Sequence, residues 1–328
     1  MMPGTTSLSR ARNCRAPGRP PARGMVWVPG GRFLMGSDHH YPEEAPAHEV
    51  EVEGFWIDRF PVTNAQFLRF IKATGHRTQA ECPADPADYP GASPELLQPA
   101  SIVFLPPDRP VPLTDHHRWW HYLPGADWRH PEGPGSSIRG RDQHPVVHVT
   151  AADAEAFASW AGKQLPSEAE WERAARGGLP ASEFAWGDEL HPGGRFLANT
   201  WQGAFPHANS CADGHERTSP VGSYPANGFG LFDMIGNVWE WTSSWYSPGH
   251  HPHQLPSGCC AAAAETARLA SIDPASEHGS MPRRVVKGGS YLCAPSYCRR
   301  YRPAARMAQG IDTSTGHMGF RCVVRPGG

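Results

Sequence analysis

Patterned sequence begins at Met25. The segment Met25-Val-Trp-Val-Pro-Gly-Gly-Arg-Phe-Leu-Met-Gly36 places strand-like residues around a Pro-Gly-Gly turn. His48-Glu-Val-Glu-Val-Glu53 alternates apolar and polar positions, the pattern of a half-buried strand. Thr63-Asn-Ala-Gln66 has the form of a capping box, in which side chains at both ends of the first turn satisfy its free amides. Phe67, Phe70 and Ile71 then fall on one helical face, and Gly75 supplies a stop. Two further helices carry the same signature. Thr150-Ala-Ala-Asp153 caps a segment bearing Phe157, Trp160 and Ala161 that ends at Gly162, and Ser167-Glu-Ala-Glu170 caps another that Gly177-Gly178 closes.

Between these elements the pattern fades. Residues 78 to 116 are rich in Pro and Ala with little periodicity, which predicts a long covering loop or insertion. Residues 249 to 281, rich in His, Pro and Ala, predict a second surface insertion. After Gly178 come turns and short apolar words containing Trp186, Trp201, Trp239, Trp241 and Trp245. Val285-Val286 opens a last compact block that runs to Val324. No repeat and no clean linker interrupts residues 25–325. The expectation is one domain over residues 25–328, preceded by a disordered tail at 1–24.

Composition sharpens the fold class. Of 328 residues, 35 are Gly and 35 are Pro, yet 12 are Trp. Gly and Pro at that level favour loops, while the tryptophans require a packed interior, so the chain should be α+β with little regular secondary structure. A coiled coil or helix bundle is excluded, and no apolar run approaches the length of a membrane span. A formal net charge of −2 leaves no electrostatic footprint for nucleic acid or an anionic membrane surface. The eight cysteines form no C-x-x-C pair and no dense disulfide framework. The N-terminal stretch has five Arg but no apolar core of a secretory signal, which points to a cytoplasmic protein with reduced thiols.

Standard catalytic words are absent: there is no G-x-S-x-G, no P-loop and no H-E-x-x-H. His250-His251-Pro-His253 lies in a Pro-rich stretch and reads as a solvated loop. Cys293 and Cys298 flank a four-residue loop. By spacing alone they are a short-loop disulfide, two inert core thiols, or two soft ligands converging on Cu(I). Asn199 with Asp213, and Asp233 with Glu240, lie in turn-rich sequence. Their oxygens suit Ca2+, and equally suit ordinary turns and surface acids.

Longer words narrow these alternatives. They include Asp127-Trp-Arg-His-Pro-Glu-Gly-Pro134, His144-Pro-Val-Val-His-Val149, Trp160-Ala-Gly-Lys-Gln-Leu-Pro-Ser-Glu-Ala-Glu-Trp-Glu172 and Gly236-Asn-Val-Trp-Glu-Trp-Thr242. The most specific block is Lys287-Gly-Gly-Ser-Tyr-Leu-Cys293, followed by Cys298-Arg-Arg-Tyr-Arg302 and Gly319-Phe-Arg-Cys322. With the Met25–Gly36 segment, these words closely resemble the formylglycine-generating enzyme (sulfatase-modifying factor) family over most of residues 25–75 and 120–325.

The resemblance implies a C-type-lectin-like fold and oxidation of a cysteine in a Cys-x-Pro-x-Arg peptide to Cα-formylglycine by O2, with an external reductant. It assigns copper(I) to Cys293 and Cys298, with Ser290 beside them and Trp239 in the substrate cleft. One calcium falls to Asn199, Asp213 and the carbonyls of Thr200 and His215. A second falls to Asp233, Glu240 and the carbonyls of Gly236 and Val238. The implied partner is an unfolded or nascent sulfatase, met by a monomer. The chain departs from the family at Ala294-Pro295, where a polar pair is usual, and at His317-Met318, where Asn-Leu is common. Ala158, Ala174 and Pro303 stand where secreted members carry structural cysteines, leaving Cys322 without its usual partner. A same-fold iron sulfoxide synthase is set aside for want of its N-terminal helical iron domain. A non-enzymatic binding module has no need of two converging thiols, and an oxidase of another protein substrate remains the alternative.

Overall fold

The computed structural model describes residues 16–250, 260–275 and 281–326. The N-terminal expectation is covered only from residue 16, where the chain runs through exposed turns. Strands β1 (Met25–Val28) and β2 (Gly31–Met35) flank the Pro-Gly-Gly turn and enter different sheets, followed by β3 (His48–Val52) and β4 (Phe55–Asp58). Helix α1 (Asn64–Thr74) starts where its capping box predicts: Gln66 N–H donates to Thr63 Oγ1 at 3.3 Å, and Thr63 N–H to Gln66 Oε1 at 2.8 Å. Such a cap contributes about 1 kcal/mol. Strands β5 (Ala100–Phe104) and β6 (Trp120–Pro124) pair next. Helices α2 (Ala151–Trp160) and α3 (Glu168–Arg176) carry complete capping boxes at Thr150/Asp153 and Ser167/Glu170. The remaining elements are β7 (Trp239–Trp245), α4 (Cys260–Ala270), β8 (Arg283–Lys287), β9 (Arg306–Gly310), β10 (Met318–Gly319) and β11 (Val323–Val324).

Four small sheets share the work. Strand β4 lies between β1 and β11; β10, β7, β8 and β9 make the largest sheet; β2–β3 and β5–β6 are separate hairpin-like pairs. Among the described residues the named strands pair antiparallel except β10 on β7, where Met318 faces Trp239 in parallel register, and a single parallel bridge joins Ile102 to Thr315. The segment at 78–116 is more structured than its composition suggests. It holds two short 3-10 turns, Gln79–Glu81 and Pro94–Leu97, and then β5. Part of the 249–281 segment likewise folds as α4, followed by a turn in which Ser271 Oγ accepts from Arg283 N–H, while residues 251–259, with His251 and His253, and 276–280 lie outside the described residues.

The main core gathers Phe67, Phe70, Phe157, Trp128, Trp241 and Phe320 from α1, α2, β7 and the C-terminal block. Buried charge runs through it as paired side chains. Arg321 donates two hydrogen bonds of 2.7 Å to Glu240, and Trp171 Nε1–H donates a third at 2.8 Å. Arg306 grips Glu168 at 2.7 and 2.8 Å, Lys287 meets Glu172, and Arg302 meets Glu44. Buried ions are tolerated only when paired and hydrogen-bonded in this way, so these pairs hold loops where few backbone ladders exist.

Candidate active site

Strand β8 ends at Lys287 and delivers the chain into Gly288-Gly289, at φ +94° and +70°. A Cβ on Gly289 would come within 2.9 Å of the Arg300 carbonyl, so only glycine lets the two arms of the cysteine loop close together. Between those arms Cys293 N–H donates to Ser290 O at 2.9 Å, and Cys298 N–H to Ala294 O at 2.9 Å. These turns bring Cys293 Sγ and Cys298 Sγ to 3.2 Å as free thiols, not a disulfide. Ser290 is fully buried. Its N–H donates to Cys293 Sγ at 3.4 Å while its Oγ accepts from Leu292 N–H at 3.2 Å.

The two sulfurs differ in setting. Cys293 is 2% exposed, and burial pushes its thiol well above the ordinary value, with Cys298 adding to the effect. Cys298 is half-buried. The hydrogen bond from Cys293 lowers its thiol to about 7 against the opposing effect of burial, with help from Arg300. Of the two, Cys298 is therefore the sulfur that ionises more easily. Two reduced sulfurs at this separation, one already disposed to ionise, are a donor set suited to a soft monovalent ion such as Cu(I).

The surroundings are aromatic. Ala294 is buried against Phe104, Trp119, Trp201 and Phe205, so a small apolar residue fits where the family usually has a polar one. Tyr297 stacks on Phe205 at 4.5 Å. Trp239 packs in the same cluster as Cys293 but is only 1% exposed. That burial contrasts with the open cleft position that the resemblance implies. His317 accepts the Trp239 N–H through its carbonyl at 2.9 Å, and its ring meets Trp120 edge-on at 4.7 Å. Burial, aided by His148, holds His317 down to about 3, so its imidazole is neutral.

Residues 11–326 match the family model described as the sulfatase-modifying factor enzyme 1-like domain. The chain belongs to the sulfatase-modifying factor family. Within this family it is 55% identical over 302 residues to the formylglycine-generating enzyme of Mycobacterium tuberculosis, covering 92% of this chain and 98% of that one. It is 48% identical over 305 residues to the formylglycine-generating enzyme of Streptomyces coelicolor, covering 92% and 88% respectively. Among solved structures, PvdO from Pseudomonas aeruginosa superposes with a TM-score of 0.59 at 24% identity, covering 91% of this chain and 93% of that one. That last likeness concerns the fold alone.

Of the residues expected for the first calcium, Asn199 and Thr200 lie next to Asp213, and the Thr200 carbonyl already accepts from Gln202 Nε2–H at 3.0 Å. Asn199 Oδ1 is buried without a hydrogen-bond partner, while its Nδ2 donates to Arg217 O at 2.8 Å. An orphaned buried carbonyl oxygen costs free energy unless something binds it, so it fits a cation ligand. Asp213 stands beside it, accepting from Thr200 N–H at 2.9 Å and from His215 N–H at 3.2 Å, and burial raises its carboxyl. The second set fits in part. Asp233 accepts from Gly222 N–H at 2.7 Å, and burial lifts its carboxyl to about 6. The Glu240 carboxylate, however, is already committed to Arg321 and Trp171. Among the described residues no group of three or more His, Cys, Asp or Glu is gathered to hold a metal ion.

Two features escaped the sequence reading. Asn237, at φ 59°, ties three loops together: its N–H donates to Asn199 O, its carbonyl accepts from Tyr291 N–H, and its side chain exchanges hydrogen bonds with Ser219. Arg300 reaches Cys298 from the far side of a contact with Tyr41 and Glu43. The positive-φ Asn in Gly236-Asn237 was a visible signal for the first. Nothing local signals the second.

Proposed function

We propose that this protein is a formylglycine-generating oxidase. It converts the cysteine of a Cys-x-Pro-x-Arg segment, presented by an unfolded sulfatase polypeptide, to Cα-formylglycine with O2 as oxidant. The substrate thiol, O2 and two reducing equivalents become an aldehyde, hydrogen sulfide and water, so an external reductant completes each turnover. The observation that carries this reading is the pair of free sulfurs of Cys293 and Cys298, 3.2 Å apart within the family's most specific sequence block.

Cys293 and Cys298 would hold Cu(I), which when bound supplies the oxygen chemistry that protein side chains lack. The chain's own groups prepare the place for it. Ser290 N–H steadies the buried sulfur of Cys293, and the lowered thiol of Cys298 supplies a thiolate near neutral pH. Ala294, Trp201 and Phe205 form an apolar cluster next to the pair, and Trp239 is buried in the same core as Cys293. An extended peptide would lie along the half-buried Cys298 side, held by backbone hydrogen bonds, with Pro and Arg setting its register. Calcium at Asn199, Asp213 and the carbonyls of Thr200 and His215 is structural in this reading. A second calcium would rest on Asp233 and the carbonyls of Gly236 and Val238. The protein works as a monomer in the reducing cytoplasm, where Cys82, Cys211 and Cys322 stay as thiols. Among the described residues no helix is long and apolar enough to cross a membrane.

The test is incubation of the protein with Cu(I), a reductant and a Cys-x-Pro-x-Arg peptide in air, followed by mass spectrometry. An aldehyde at the cysteine supports the reading. An unchanged thiol, with copper shown to be bound, overturns it.

A further inference from the structure

We propose that Arg300 is the positioning cation of the cysteine pair: its guanidinium is held by Tyr41 and Glu43 so that its remaining N–H edge is turned to Cys298 Sγ. The inference rests on the copper reading of Cys293 and Cys298 and adds to it a residue that touches neither peptide nor metal.

The geometry has three parts. Arg300 Nη1 lies 4.0 Å from Cys298 Sγ, a long contact to a large and polarisable acceptor. Nε and Nη2 both donate to Glu43 Oε1, at 3.2 and 2.5 Å. The guanidinium plane rests over the Tyr41 ring at 3.7 Å, and the Tyr41 hydroxyl accepts from Arg299 N–H at 3.1 Å. One edge of the fork is thus fixed by a carboxylate, one face by an aromatic ring, and the third nitrogen is left for the sulfur. A lysine ammonium could reach only one of these partners at a time.

A purely structural latch is a less complete account. The loop bearing Tyr41 and Glu43 is already anchored to the cysteine block by the buried Glu44–Arg302 pair, and Arg306 Nη1–H also donates to Glu43 O at 3.2 Å. Arg300 is not required to hold that loop. Charge gives it a second role. Two thiolates around a monovalent cation carry one net negative charge, and a substrate thiolate would add another. In a half-buried site that charge is costly without a fixed positive neighbour. Groups that orient and polarise metal ligands typically change metal affinity by about 10–100-fold when removed.

The experiment titrates Cu(I) into anaerobic, reduced protein against a chromophoric chelator, with thermal melting of each variant recorded alongside. The set is the unaltered protein, Cys298→Ser, Arg300→Met, Arg300→Gln, Arg300→Lys and Arg299→Gln. Arg299, exposed and paired with Glu183, serves as the control for loss of a neighbouring charge. The expected result is a loss of about tenfold or more in Cu(I) affinity for Arg300→Met and Arg300→Gln. Melting should change little, Arg300→Lys should recover part of the affinity, and Arg299→Gln should match the unaltered protein. If the unaltered protein binds no Cu(I), or Cys298→Ser binds it equally well, the copper reading itself fails and this inference falls with it. If binding depends on Cys298 while folded Arg300→Gln and Arg300→Met keep full affinity, the inference alone is overturned. Should Arg300→Met not fold, the comparison of Arg300→Gln with Arg300→Lys decides: equal affinities sink the charge role, and recovery by Lys supports it.

Discussion

Lys287 Nζ lies 2.9 Å from Glu172 Oε2, and both side chains are closed off from water. Arg176 donates to the other oxygen at 2.7 and 3.1 Å, as does the Gly36 N–H at 2.8 Å. Burial alone would raise this carboxyl, but Lys287 and Arg176 outweigh it and hold Glu172 at about 2, below its ordinary 4.5. A folded value below the unfolded one stabilises the protein above the unfolded value, and the gain disappears as pH falls through the folded one. Stability should therefore drop between about pH 5 and pH 2. Glu172→Gln, which takes the shared carboxylate from buried Lys287 and Arg176 and leaves Lys287 only Glu168 at 3.7 Å and the Ala304 carbonyl, should cost about 3–5 kcal/mol near neutral pH and flatten that acid limb. Urea unfolding at a series of pH values checks both outcomes.

Removing either sulfur of the cysteine pair should abolish tight Cu(I) binding. Cys293→Ser tests the buried donor and Cys298→Ser the half-buried one. Each protein should still fold, because a hydroxyl fits the space of a thiol, and circular dichroism would show this. Full metal uptake and turnover by folded Cys298→Ser would dismiss the assignment.

Calcium should act on stability and not on chemistry. A cation that binds only the folded state adds about 2.7 kcal/mol at a concentration one hundred times its dissociation constant. Chelation should lower the melting temperature. Asp213→Asn and Asn199→Ala should melt low whether or not calcium is added. Asp213 is a better probe than Glu240, since a change at Glu240 also strands the buried Arg321. Identical melting of metal-free and calcium-loaded protein would count against the site.

Conversion should require an extended substrate. A short peptide carrying Cys-x-Pro-x-Arg should be oxidised, and the same motif inside a folded sulfatase should be inert, as mass spectrometry of both would reveal. Replacing the peptide's Arg with Ala should raise KM, because its forked donors help to set the register. Equal rates for the folded and extended forms would contradict the model.

Helices α1, α2 and α3 were readable because each announces itself locally, at Thr63, Thr150 and Ser167, with both halves of the capping box inside one turn, whereas α4 lies in the segment that read as an insertion. Strand β4 was not, because Phe55–Asp58 lies between β1 and β11 with all four residues buried and so lacks alternation. In the site, the cysteine loop is a contiguous word and was legible. Its setting was not: Arg300 meets Glu43 across 257 positions, and the burial of Trp239 depends on β10 arriving in parallel from the far end of the chain. Long-range contacts of this kind leave no periodic trace.

Asn237 has its amide, its carbonyl and its side chain committed to different stretches of backbone, one of them two residues before Cys293. The usual division between a rigid scaffold and freely variable loops does not hold for such a molecule. Turns near residues 199, 219 and 237 will resist insertions, tags and chain breaks as firmly as a core strand does elsewhere. An engineer seeking a permissive point should turn instead to the exposed stretch at 90–95, beyond the Tyr89–Asp312 contact, which a laboratory could lengthen or cut while the turn at Asn199 and the cysteine loop stay in register.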